Sequence, residues 1–157
     1  MISLFGFSGL TFSLLCNIII IFIFFFQNKK YSETIFYYAL YGSVVSIIIS
    51  FLALMFSYVS SDFSNYNVFQ NSHSSKPLLY KITGTWGNHE GSMLLWLIIM
   101  TFYNLFFSFN KTLDNDLKKL TIFFQSSLYV CFALFVLFTS NPFLANSIEI
   151  NEGLGLN

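Results

Sequence analysis

Apolar positions in this chain come in four nearly unbroken runs, at residues 2–26, 35–59, 89–109 and 120–139, with little alternation inside them. About 20 apolar residues in an α-helix cross a hydrocarbon core ~30 Å thick, so each run is predicted to be a transmembrane helix. Polar turns follow the first and third runs. A long Asn/Ser-rich connector occupies residues 60–88, and a polar, glycine-containing tail occupies residues 140–157. The pattern reads as an all-α integral membrane protein: one unit over residues 1–157, with four transmembrane helices and one long connector. The first run has no basic segment before it and no small-residue cleavage site. It also exceeds the about 7–15 residues of a secretory signal core, so it reads as a retained anchor.

Finer spacing adds to this outline. Ser43, Ser46, Ser50, Ala53 and Ser57 fall along one stripe of the second helix, and Gly6 and Gly9 offer small surfaces on the first. Helices in lipid approach closely through such residues, because apolar side chains gain little by leaving hydrocarbon for one another. The stripe is therefore expected to meet another helix. The connector exceeds the about 12–15 residues beyond which loops without regular structure are usually functional or disordered. Its Phe63, Tyr66, Phe69, Leu78, Leu79 and Tyr80 predict that it folds against the membrane surface or a partner.

Composition strengthens the membrane assignment: 55% of residues are hydrophobic and only 9% charged, where a soluble domain carries roughly a quarter charged. The bias toward Phe, Ile, Asn, Lys and Tyr, with no Arg, is what an AT-rich genome encodes and suggests an organellar or endosymbiont-like origin. Net charge is zero without a block of one sign, so no nucleic-acid partner is implied. Lys29, Lys30, Lys111, Lys118 and Lys119 lie in or beside the two short turns, whereas the connector holds only Lys76 and Lys81. By the positive-inside rule the short turns face the cytoplasm or matrix, and the connector and both termini face outward. Cys16 and Cys131 stand alone in apolar runs and are expected to fill small packing gaps.

The segment with candidate chemistry is Trp86-Gly-Asn-His89-Glu90-Gly91-Ser92, at the mouth of the third run. Ionisable groups in such a place are functional candidates, because lipid makes them costly. Part of the segment is explained by starting a helix: Asn88 suits the N-cap, Glu90 the positive end of the dipole, and Trp86 an interfacial belt. That account leaves His89 over. His89, Met93, Trp96, Met100 and Tyr103 share one helical stripe. Such a stripe serves either to pack a core-facing helix, which periodicity favours, or to flank a haem or another flat apolar ligand. His73, alone in the connector, reads as a solvated surface imidazole. The residues form no nucleophile with its base, no phosphate loop and no metal-ligand spacing.

Residues 86–96, Trp-Gly-Asn-His-Glu-Gly-Ser-Met-Leu-Leu-Trp, resemble the WGxHEGSxxLW signature of the CcmF/NrfE-type cytochrome c haem lyases. Pro77-Leu-Leu-Tyr-Lys81 is similar to a segment that the family has at that place. A second likeness is Phe138-Thr-Ser-Asn-Pro142-Phe143, followed by Glu152-Gly-Leu-Gly-Leu-Asn157. The resemblance implies a membrane protein that helps attach haem to the C-x-x-C-H of an apocytochrome c on the outward face. It further implies as partners the remaining part of the lyase, a haem chaperone and thiol-handling proteins, in a mitochondrial inner membrane or a bacterial-type plasma membrane.

Departures limit what carries over. The Trp-rich haem-handling segment of the wider superfamily does not occur here, and the family's transmembrane histidine pair lies beyond Asn157 in full-length members. The chain is therefore expected to correspond to the N-terminal four-helix portion, supplying scaffold and docking surface with haem held by the full complex. Trp86, His89, Glu90, Gly91 and Trp96 are the candidate partner-contacting or haem-proximal residues, with no catalytic residue and no metal ligand assigned. A non-catalytic structural subunit of a respiratory membrane complex would share the same composition and is the alternative.

Overall fold

The computed structural model describes residues 1–25, 32–146 and 152–155. Lys29 and Lys30, which entered the orientation argument, lie outside the described residues, as do Asn157 and residues 147–151 of the tail. The described residues form six helices in order: α1 (Ile2–Phe25), α2 (Ser32–Val59), α3 (Tyr66–Asn71), α4 (Leu78–Gly84), α5 (His89–Phe109) and α6 (Asn115–Thr139). No strand occurs among the described residues. α1, α2, α5 and α6 are each long and apolar enough to cross a membrane, as the four runs predict.

Two starts differ from expectation. α6 begins at Asn115 rather than at residue 120, because Asp114 is extended and its carboxylate accepts the N–H of Asn115, while Asp116 sits in the first turn. α2 begins at Ser32 rather than 35, with Glu33 in its first turn. Lys119 of α6 pairs with Glu33, so the polar ends of these helices are tied together.

α1 packs on α2 and α6, and α5 packs on the same two, which closes the four spans into a bundle. The α1–α2 seam is close because its residues are small. A Cβ on Gly9 would stand 2.8 Å from the Ser46 carbonyl oxygen, and the Ser50 hydroxyl donates to the Gly6 carbonyl at 2.8 Å. Ser43, Ser46, Ser50 and Ser57 are buried, so the small-residue stripe does meet a neighbouring helix. Deeper in the bundle, Ser13 lies 2.9 Å from the Ser43 hydroxyl and 2.7 Å from the Tyr129 hydroxyl. The Asn17 amide donates to Ser43 Oγ at 2.7 Å. These groups have no water to turn to in a bilayer, so they satisfy one another. Leu10, Leu14, Ile47, Leu54, Leu94, Leu97 and Val136 form one buried apolar cluster with Tyr129. Cys16 is buried as expected, but Cys131 is exposed on α6 and fills no gap in the bundle.

The connector contains two short helices that the sequence pattern does not show. Asn65 starts α3, its side-chain oxygen accepting the N–H groups of Asn67 and Val68 at 2.9 and 3.2 Å. α4 starts at Leu78 behind Pro77, whose fixed φ suits a helix entry. Six and seven residues are too few to display a helical period. The segment after α6 runs back over the connector: Tyr66 N–H donates to the Leu144 carbonyl and Asn146 N–H to the Ser64 carbonyl. Farther on, Leu154 N–H donates to Phe69 and Gly155 N–H to Ser72. Asn65 Nδ2 also reaches Ser3 Oγ at 3.2 Å and the Pro142 carbonyl at 3.0 Å. Chain start, connector and returning tail thus lie at one end of the bundle.

Candidate functional site

The Trp86–Ser92 segment is held by a network that begins in α2. Tyr58, fully buried in the last turn of that helix, donates its hydroxyl proton to Asn67 Oδ1 at 2.5 Å. It accepts from Asn88 Nδ2 at 2.8 Å. Asn67 Nδ2 in turn donates to Asn88 Oδ1 at 3.0 Å and to Glu90 Oε2 at 2.9 Å. Asn88 caps α5 through the Gly91 N–H at 2.8 Å and also donates to the Gly84 carbonyl at 2.8 Å. The N-cap expected at Asn88 is therefore present, and one carboxylate, two amides and a phenol lock α3 onto the α4–α5 turn.

Glycines set the distances. A Cβ on Gly91 would lie 1.7 Å from the Thr85 carbonyl oxygen, so nothing larger fits where the turn crosses the start of α5. At Gly6, a Cβ would strike the Phe143 ring at 2.1 Å, seating the second motif on α1.

His89 projects from the other side of the same turn, where Nε2 lies 3.0 Å from Ser140 Oγ at the end of α6. The two stretches that suggested a family in the sequence are joined by this contact. Trp86, 39% exposed, stacks on Phe51 of α2 with centroids 6.4 Å apart and planes at 20°. It also borders a cleft of about 590 Å³ lined by Asn71, Lys76, Tyr80, Asn88 and Leu154 among others. Trp96 is not brought to this group: it lies about two turns into α5, 55% exposed.

The His89–Tyr103 stripe does not form the core face of α5. That face is Gly91, Leu94, Leu97, Ile98, Thr101 and Asn104. His89, Trp96 and Tyr103 are exposed, and Met93 and Met100 are only partly buried against the core. Within this chain the stripe therefore does not perform the packing that periodicity favours. His73 is not a lone solvated imidazole either. Its Nδ1 lies 2.8 Å from Ser75 Oγ and its Nε2 3.6 Å from Glu152 Oε1. The Ser74 hydroxyl and N–H both donate to the Glu152 carboxylate. These bonds, with a smaller contribution from His73, hold its carboxyl down from 4.5 to about 2.

Among the described residues no group of three His, Cys, Asp or Glu could hold a metal ion. His89 Nε2 faces Ser140 Oγ, while both ring nitrogens of His73 face partners, Ser75 Oγ and the Glu152 carboxylate. No step through iron is assigned to either. Tyr58, Asn65, Asn67 and Ser140 are the site residues that sequence reasoning passed over. Asn65-Tyr-Asn67, a polar pair flanking an aromatic inside the connector, was the available signal for two of them.

Four membrane helices closed at one end by a hydrogen-bonded cap define an integral membrane protein whose polar candidate residues gather at a single bundle end. No family model matches the chain. It is 52% identical over 109 residues to the cytochrome c-type biogenesis protein CycK of Rhizobium meliloti, covering 69% of this chain and 16% of the relative. It is 41% identical over 115 residues to the cytochrome c-type biogenesis protein CcmF of Escherichia coli, covering 71% and 17%. A solved cytochrome c heme lyase CcmF shares the fold with a TM-score of 0.83 at 24% identity, over 91% of this chain and 25% of that one. These likenesses place the chain with the CcmF-type cytochrome c biogenesis proteins. It spans about a sixth of the length of the curated relatives it matches.

Proposed function

We propose that this chain is the scaffold and docking portion of a cytochrome c haem lyase that attaches haem to apocytochrome c on the outward face of the membrane. The observation that carries this reading is the union of the two motif segments in one rigid cap: His89 with Ser140, and Glu90 with Asn67 and Asn88. Such a cap presents Trp86 and the adjoining cleft as a fixed surface at the membrane boundary. Its partners in this reading are the remainder of the lyase, a haem chaperone, apocytochrome c and the proteins that keep the acceptor thiols reduced. Haem is handled by the assembled complex. The sparse lysines of the connector support an outward cap and outward termini, and the Phe-, Ile- and Lys-rich composition supports a mitochondrial inner membrane. The likeness to CycK and CcmF favours cytochrome c biogenesis over a respiratory structural subunit.

The test is His89→Ala and Glu90→Ala in the intact system, reading c-type cytochromes by haem stain and this chain by immunoblot. Reduced cytochrome at normal chain level is the expected result. Wild-type cytochrome in both variants at normal chain level removes these residues from the site.

A further inference from the structure

Among the described residues, α4 carries a contiguous exposed apolar surface outside the four spans. None of its seven residues is buried, and Leu78, Leu79 and Tyr80 are 58%, 74% and 66% exposed. We propose that α4 lies in the lipid interface of the leaflet on the cap side, with Leu78, Leu79 and Tyr80 in contact with headgroups and upper acyl chains. The proposal does not rest on the haem lyase reading.

Depth is the first argument. The C-terminal end of α4 is fixed at the level where two spans meet the boundary: a Cβ on Gly84 would touch the Tyr58 ring at 3.3 Å, one residue from the end of α2. After Gly84 only the tight turn 85–88 precedes α5. A helix of this length extends about 10 Å, against an interfacial zone about 5–7 Å deep on each side of the hydrocarbon core. Its Gly84 half therefore lies at the depth of that zone.

Polarity is the second. Lys76, just before α4, and Lys81, within it, are drawn back to the protein, Lys76 Nζ onto the Asn71 carbonyl at 3.0 Å and Lys81 Nζ onto Ser61 Oγ at 2.6 Å. Leu79, two residues from Lys81 and so about 200° away around the helix, faces the other side, as on an interfacial helix. Continuity is the third. Trp86, two residues beyond α4, stacks on Phe51 of α2 and is itself 39% exposed. Tyr and Trp are the residues that settle at headgroup level.

The experiment places a nitroxide on Leu79→Cys, in a Cys131→Ser background, in the intact protein with its copurifying partners. The protein is held in vesicles of phosphatidylcholine and phosphatidylglycerol. Collision rates with dioxygen, which partitions into lipid, are compared with those of a water-soluble nickel chelate. Val45→Cys, exposed in the middle of α2, and Lys111→Cys in a polar turn are the lipid and water references, and Leu78→Cys repeats the measurement one residue away. A dioxygen-to-nickel ratio severalfold above the Lys111 reference and approaching the Val45 reference is expected. A ratio equal to the water reference overturns the proposal. So does a label shielded from both reagents, which would mean that protein covers α4.

Discussion

Replacing Gly91 by Ala separates two opposed effects. Inside a helix, Ala is intrinsically better than Gly by about 1 kcal/mol, so on propensity alone the variant is stabilised. The added Cβ, however, would stand 1.7 Å from the Thr85 carbonyl oxygen and 2.8 Å from its carbon. Both are backbone atoms that no rotamer change can move aside. Overpacking a tight site costs about 1–3 kcal/mol where side chains can yield, so a backbone collision belongs at the top of that range. Pushing the turn away also lengthens the Asn88 cap to the Gly91 N–H, and losing a cap costs about 0.5–2 kcal/mol. The net expectation is a loss of about 2–4 kcal/mol after the propensity gain is subtracted. Gly87→Ala is the control: its nearest neighbour is the Thr83 carbonyl at 3.3 Å, a contact relieved by a few tenths of an ångström. Reversible SDS unfolding in mixed micelles, followed by far-UV circular dichroism, gives the comparison. A Gly91→Ala protein as stable as the parent, or no less stable than Gly87→Ala, would refute the steric argument.

Other consequences can be measured on the same protein. Ser13→Ala and Tyr129→Phe each remove the 2.7 Å hydroxyl contact inside the bundle. Each should lose about 0.6 kcal/mol and at most about 1.7 kcal/mol in the same unfolding assay, the average and the maximum for hydrogen bonds between membrane helices. The double variant should lose less than the sum, and full additivity would show that the pair is not coupled. The Glu152 carboxyl is lowered by its bonds to Ser74, so the stability it contributes is present above its ordinary 4.5 and lost as pH falls through about 2. Glu152→Gln should accordingly raise protease cleavage of the tail at neutral pH, while the parent gains that sensitivity only on acidification into the 4.5-to-2 window. Equal cleavage of parent and variant at neutral pH would show that the carboxylate does not hold the tail. Asn67→Ala removes the donor to Glu90 and Asn88, and should lower cytochrome c formation at least as much as Glu90→Ala. A wild-type yield would show that this network does not support the site.

The four spans were legible because lipid imposes a rule simple enough to see in one sequence: a long run without charge. The α2 stripe was legible for a related reason, since Ser43, Ser46, Ser50 and Ser57 sit at helical spacing and nothing larger would admit α1. The α5 stripe shows where that reasoning stops. Spacing marks which residues share a face but not which way the face turns, and the buried face passes instead through Gly91, Leu94, Leu97 and Thr101. At the cap, Asn88, Glu90 and Gly91 could be read because helix starts have local chemistry. Tyr58, Asn67 and Ser140 could not, because their partners are 30, 21 and 51 residues away. α3 and α4 escaped notice because neither is long enough to reveal a period.

The seating of Phe143 against Gly6, and of the Pro142 carbonyl on Asn65 beside Ser3, dictates an order of assembly. As the ribosome threads this chain into the bilayer, the Gly6 notch on the first span stays bare until the fourth span has been made and the ring of Phe143 arrives. A nascent polypeptide stalled after three spans therefore leaves that notch empty and the Asn65 amide without the Pro142 carbonyl.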